Sequence, residues 1–224
     1  MLTPILTPRL ALAASFVEDN AVVIDVGTDH AYLPVWLLLS GKCAQAIAAD
    51  INAEPLERAR QNITKYGLSD RIRLILCDGL AKMDASMCDT VVIAGMGGET
   101  IAGILGAAPW TKDKTLILQP MTNAARLRRF LRKSGYTILD EATAAEERHL
   151  YTVIKATGGI CKEDPIYDHI SRPLLDRGGE EVAAYLDRVI AAQRKTYEGL
   201  RSAGRDTTEV ETLLSALHKL KSTV

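Results

Sequence analysis

Short apolar runs recur at regular intervals along the first half of the chain, at residues 21–24, 44–49, 72–76, 90–94 and 115–118. Each is dense in Val, Ile, Leu and Ala and lacks the polar alternation of a half-solvated strand. They are predicted to be strands of a parallel sheet covered on both faces. Segments with helical spacing lie between them, at residues 33–40, 55–66, 99–105 and 124–134. Tyr66-Gly67 supplies a helix stop. Ahead of the first run, Thr7-Pro8 opens a short helix through residues 10–17, with Thr7 as N-cap and Pro8 in the first turn. Alternation on this scale predicts an α/β protein with a doubly wound sheet and right-handed crossovers.

After Gly135 the pattern changes. Two strand-like stretches, 136–139 and 150–155, flank an acidic segment holding Glu141, Glu146 and Glu147. They read as an antiparallel pair closing the sheet. Gly158-Gly159 marks a boundary, and Asp164-Pro165 with Arg172-Pro173 makes a turn-rich connector. From Gly179 onward Val182, Tyr185, Leu186, Val189 and Ile190 repeat at spacings of three and four. Gly204 interrupts, and Val210, Leu213, Leu214, Leu217 and Leu220 repeat likewise. This predicts two amphipathic helices folded back as a hairpin. The expected division is residues 1–159 as the sheet domain and 160–224 as connector and hairpin.

Composition permits an enzyme without pointing to one. The 224 residues are 47% hydrophobic and 25% charged, as expected of a soluble globular chain with one core and an appendage. A net charge of −1 argues against a protein that is basic overall and leaves local patches open. No apolar run approaches a bilayer span and no signal-like N-terminus is present, so a cytoplasmic location away from membranes is expected. Cys43, Cys77, Cys88 and Cys161 form no C-x-x-C pair; free thiols and no metal centre are expected.

The chemistry concentrates where the runs end. Asp25-Val26-Gly27-Thr28-Asp29-His30 follows the first run, Asp50-Ile51 closes the second and Cys77-Asp78-Gly79 closes the third. Strand ends of an open parallel sheet line its ligand site. Any one acid also has a reading as a turn or cap. Together, with Asp25 and Asp50 25 positions apart, they describe a nucleoside crevice. Only one glycine is present, so this is not the dinucleotide loop, whose small residues let backbone approach a pyrophosphate. Asp29 fills that loop's second glycine position with negative charge. S-adenosylmethionine, carrying a sulfonium and an ammonium, fits better. Asp25, Gly27 and Thr28 would hold it, Asp50 would take the ribose diol, and Asp78 would take the adenine amine.

At the fourth strand end lies Ala94-Gly95-Met96-Gly97-Gly98. Its glycines allow close approach to a flat ligand, although a tight strand-to-helix turn or an anion site at the helix start would use them too. Arg126, Arg128, Arg129, Arg132 and Lys133 cluster on one helix, either to grip a nucleic-acid backbone or as a solvated face. His149 and Tyr151 read as structural strand residues, and His169 and His218 receive no role. The C-terminal repeat reads as packing, with partner or RNA binding as the alternative.

Residues 25–34 (DVGTDHAYLP), 94–98 (AGMGG) and 116–120 (LILQP), with TPRL at 7–10, resemble the signature of the bacterial tRNA (adenine-22, N1)-methyltransferases over roughly residues 5–155. The resemblance implies a class I methyltransferase (Rossmann-like) fold, S-adenosylmethionine as donor, a tRNA adenine methylated at N1, and a coiled-coil-like C-terminal part. Within that frame Asp29 is the candidate carboxylate for the cationic product and His30 a base contact or orienter, unless both hold the cofactor's methionine end. Gly95, Met96, Gly97 and Gly98 would form a slot for an extruded base, with Gln119 and Pro120 as one wall. Arg9 would reach the cofactor carboxylate or Asp29. Arg9, Arg58, Arg60, Arg126 and Arg129 would meet tRNA. The oligomeric state is left open, a monomer being slightly favoured, since the hairpin could clasp RNA, pack on its own domain or dimerise. Competing readings are a methyltransferase acting on another RNA, a protein or a small molecule, and a non-catalytic binder of cofactor or RNA.

Overall fold

The computed structural model describes residues 3–224. Strands β1 (Ala21–Val26), β2 (Cys43–Asp50), β3 (Ile72–Leu76), β4 (Thr90–Gly97) and β5 (Thr115–Thr122) run parallel. With β6 (Tyr136–Glu146) and β7 (His149–Gly158) they form one seven-stranded sheet in the order β3-β2-β1-β4-β5-β7-β6. Strand β7 is antiparallel to both of its neighbours. The order reverses between β1 and β4, which opens a crevice at their C-terminal ends.

Each apolar run serves two cores. Val23 faces helices α1 (Pro8–Phe16), α2 (Tyr32–Leu39) and α3 (Ala53–Lys65) in one cluster with Leu37, Ala59 and Ile63. Its neighbour Ile24 faces α4 (Gly98–Ala107) and α5 (Ala124–Lys133) in a second cluster with Ile101, Leu105, Leu127 and Leu131. Burial on both faces is why these strands are continuously apolar.

Three local expectations change. Thr7 occupies the N-cap position, but its side chain makes no capping bond; only its carbonyl is used, accepting from the Ala11 N–H at 2.8 Å. Strands β4 and β5 run past their apolar stretches, pairing Ala94 with Gln119 and Gly97 with Thr122 across a bulge. The acidic segment is not a loop but the outer half of β6, paired with β7 as far as Glu146 opposite His149. Glu141 tolerates this burial because Arg128 arrives on it from α5, with Nη2 2.6 Å from Oε1. Gly158 ends β7 where the glycine pair had marked a boundary, and it is also tightly packed, since a Cβ there would lie 2.4 Å from the Lys112 carbonyl oxygen.

Beyond the sheet, α6 (Arg172–Arg177), α7 (Glu180–Ser202) and α8 (Thr208–Lys221) follow. Ile170, Leu174, Val182, Leu186, Ile190 and Leu217 bury a third, separate cluster. Arg128 ties this cluster to the sheet: besides Glu141, it donates to the His169 carbonyl at 3.0 Å and to the Tyr185 hydroxyl at 2.8 Å. No helix among the described residues is long and apolar enough to cross a membrane.

Candidate active site

The loop after β1 is built by backbone. Gly27 and Thr28 both donate their N–H to the Ala49 carbonyl of β2, at 2.8 and 3.1 Å. Gly27, Asp29 and Ala31 then adopt positive φ values of 77°, 42° and 55°. That conformation suits glycine and costs the other two roughly 1–2 kcal/mol each, so the turn holds local strain at the crevice. It folds Thr28 back so that its hydroxyl donates to Asp25 Oδ2 at 2.6 Å. Asp25 is only 5% exposed. Burial pushes its carboxyl up to about 6, against the Thr28 bond, which lowers it; nearby Asp50 adds to the rise.

These residues floor a cavity of about 330 Å³. The loop supplies Asp25 and Gly27 through His30, α2 supplies Tyr32 and Leu33, and β4 supplies Ala94 and Gly95. Thr7, Arg9 and Leu10 close it from the start of α1. Arg9 is gripped by Glu146 at the end of β6, through its backbone N–H at 3.3 Å and its Nε at 3.2 Å. The Nη nitrogens are left for the cavity, Nη1 lying 3.9 Å from where a Gly95 Cβ would be. A buried carboxylate and an arginine fork thus converge on one space, whose wall at Gly95 is bare backbone. That combination fits the ammonium and carboxylate of an amino-acid moiety, as S-adenosylmethionine carries.

Arg9 does not reach Asp29. Asp29 turns to Arg58 on α3 (2.9 Å), which also holds Glu54 at 2.7 Å; His30 Nε2 lies 3.7 Å from the other Asp29 oxygen. Arg58 is therefore bound within the rim rather than free for tRNA, and Arg60 pairs with Glu57 at 3.3 Å. His30 stacks on Tyr32, ring centroids 5.2 Å apart. Asp50, Ile51 and Asp78 stand on the adjoining tips of β2 and β3, outside the cavity lining. Asp50 accepts the Asn52 N–H at 2.8 Å, and Ile51 and Asp78 are exposed. Gly79, with φ of 51°, faces α4, where a Cβ would meet Ile104 at 3.0 Å.

The expected base slot is smaller than its sequence suggests. The Met96 side chain lies across Gly27, its Cε 2.3 Å from where a Cβ would stand. Gly98 is required by packing, for a Cβ would sit 2.5 Å from the Asn123 carbonyl oxygen. Gln119 is fully buried and supports the bulge instead of forming a wall: Oε1 accepts the Gly95 N–H at 3.0 Å and Nε2 donates to the Pro120 carbonyl at 3.1 Å. Pro120 is buried beside it. Gly95 is exposed and Gly97 half-buried, and they remain the accessible part of the segment.

Most of the basic face of α5 is engaged in ion pairs. Arg128 is interior, Arg132 holds Asp168 at 2.7 Å, Arg129 meets Asp168 at 3.3 Å, and Arg126 pairs with Glu99. Four of the five clustered charges are thus partners of acids elsewhere in the chain. A larger depression of about 560 Å³, bordered by Arg60, Arg71 and Arg73, lies toward the opposite ends of β2 and β3 and lacks a buried carboxylate. Among the described residues, no group of three or more His, Cys, Asp or Glu side chains is placed to hold a metal ion. Glu146 and Tyr32 were missed from sequence. Glu146 had no local signal, since its partner is 137 positions away.

The chain matches a methyltransferase domain family over residues 6–154. It is 38% identical over 168 residues to the tRNA (adenine(22)-N(1))-methyltransferase of Bacillus subtilis, covering 74% of this chain and 70% of the relative. The fold superposes on the B. subtilis m1A22 tRNA methyltransferase TrmK with a TM-score of 0.79, at 31% identity over 98% of both chains. It also superposes on M. capricolum TrmK in complex with S-adenosyl-homocysteine, with a TM-score of 0.78, at 25% identity over 98% of this chain and 99% of the other.

Proposed function

Because the chain belongs to the tRNA (adenine(22)-N(1))-methyltransferase family, we propose that it transfers the methyl group of S-adenosylmethionine to N1 of an adenine in tRNA, at position 22. The observation that carries the reading is the pairing of buried Asp25 with the Arg9 fork across one cavity at the strand reversal. The cofactor, when bound, supplies a methyl on a sulfonium centre that leaves as a neutral thioether. Asp25 holds the ammonium and Arg9 the carboxylate of its amino-acid end, beside the backbone of Gly27 and Gly95. Asp50 takes the ribose hydroxyls, and Ile51 and Asp78 border the adenine.

Adenine N1 carries an available lone pair at neutral pH, so the protein need not remove a proton before attack. Its task is alignment and exclusion of water, which proximity alone makes large. The Gly95 bulge, held by Gln119, keeps the rim low enough for a base swung out of its stack, at a cost of a few kcal/mol. The methylated base is cationic, and Asp29 is the rim carboxylate we assign to it. Arg58 fixes Asp29 in place and tempers its charge, and His30, stacked on Tyr32, orients the base. Arg126 and Arg129, exposed despite their acidic partners, contribute to the tRNA-facing surface. Residues 1–159 carry this chemistry, 160–224 form an attached unit, and a tRNA substrate places the work in the cytoplasm.

Transfer of labelled methyl to tRNA transcripts, with adenine 22 present or replaced, tests the reading. Label that requires adenine 22 supports it; label found only on protein or small molecules refutes it. Asp29→Ala is expected to lower kcat far more than cofactor affinity, and the reverse would make Asp29 a binding residue.

A further inference from the structure

The tip of the β6–β7 hairpin carries side chains that the mechanism above does not use. His149 and Tyr151 stack with ring centroids 5.7 Å apart and planes 18° apart. In register, His149 lies opposite Glu146 and Tyr151 opposite Ala144. Alternation along a strand therefore places both rings on the sheet face of Glu146, the residue that grips Arg9 at the cavity. His149 is exposed and Tyr151 half-buried. A purely structural stack would be expected to hide more of its surface.

Two cations lie at the same hairpin tip. Arg148 is exposed in the turn, and its carbonyl accepts a bond from Arg188 of α7 at 3.4 Å, which brings a second exposed guanidinium to the tip. Of the acids nearby, Glu146 is already matched by Arg9, and Glu147 alone remains open in the turn. Stacked aromatic faces beside arginines are how proteins hold unpaired nucleotides without reading their identity.

We propose that this tip is a nucleotide subsite: an unstacked base next to the methylated adenine lies on His149 and Tyr151, and Arg148 and Arg188 contact its phosphates. The inference rests on the tRNA reading above. Extruding one base leaves its neighbours with an open face, and a platform beside the cavity takes up one of them.

The test uses His149→Ala, Tyr151→Ala and the conservative Tyr151→Phe in the full chain. Each ring removal is expected to raise KM for tRNA about tenfold, with kcat and S-adenosylmethionine affinity unchanged and the phenylalanine variant near wild type. Arg148→Ala is expected to reduce the slope of log affinity against log salt by about one. Against a tRNA made abasic at the stacked neighbour, the His149→Ala penalty should vanish. Unchanged KM in the ring variants, or a penalty that survives abasic substitution on either side, overturns the subsite while leaving the methylation reading intact. Wild-type protein that methylates no tRNA overturns both.

Discussion

Arg128→Met distinguishes an interior arginine from a phosphate-binding one. In the folded protein its guanidinium is bidentate to Glu141, at 3.0 and 2.6 Å, with side-chain exposures of 1% and 0%. Burial opposes its charge, but the carboxylate and the Tyr185 hydroxyl beside it more than offset that and hold its pKa above the ordinary arginine value. Removing it strands a buried carboxylate, the Tyr185 hydroxyl and the His169 carbonyl. Breaking a buried pair from one side costs about 3–5 kcal/mol, whereas replacing both partners with apolar groups is close to neutral. At about 2–4 °C per kcal/mol for a chain this size, the melting temperature should fall by about 6–20 °C. Calorimetric melts of Arg128→Met and of the double variant Arg128→Met/Glu141→Met give the two numbers, and the double variant should recover most of the loss. The salt dependence of tRNA binding by the folded variant should be that of wild type. A drop below about 2 °C together with a salt slope reduced by about one would refute the interior assignment and restore a phosphate contact.

Three further outcomes follow from the site. Asp25 titrates at about 6 when folded against an ordinary 3.8, so the folded state keeps a proton that the unfolded chain releases between those values. Stability of the unliganded protein should therefore fall as pH rises through that window, and Asp25→Asn should recover up to about 3 kcal/mol at pH 7 while weakening cofactor binding; urea titrations and calorimetry at both ends of the window check this. Glu146→Gln frees Arg9 and should weaken S-adenosylmethionine about fivefold, on the order of 1 kcal/mol, in calorimetry without tRNA. Gly98→Ala drives a Cβ into the Asn123 carbonyl and should cost about 1–3 kcal/mol, read from the urea midpoint; an unchanged midpoint would return Gly98 to the base slot.

The parallel core was legible because β1 to β5 are apolar on both faces, a pattern that local sequence carries by itself. So was the helical hairpin, whose spacing persists on either side of Gly204. The crevice was legible as far as the strand tips: Arg9, Asp25, Gly27, Thr28, Asp29, His30, Ala94 and Gly95 converge on one cavity. What escaped is what depends on distant partners. Glu141 and Glu146 look like loop residues until Arg128 and Arg9 reach them, and Arg126 to Lys133 looks like an RNA-binding face until Asp168, Glu99 and Glu141 claim four of its five charges. Gly98 was read as a ligand contact because a glycine needed for close packing and one needed for a ligand are the same letter. Only the position of Asn123 separates them.

Reverse transcription across tRNA treated with the protein and S-adenosylmethionine examines the proposed chemistry at the reacting atom, since a methyl on N1 blocks base pairing. The expected result is a stop at adenine 22 that depends on cofactor and is lost with Asp25→Ala. Full read-through there, with the methyl recovered on another atom or another nucleotide, would contradict the assignment of this cavity to N1 methylation.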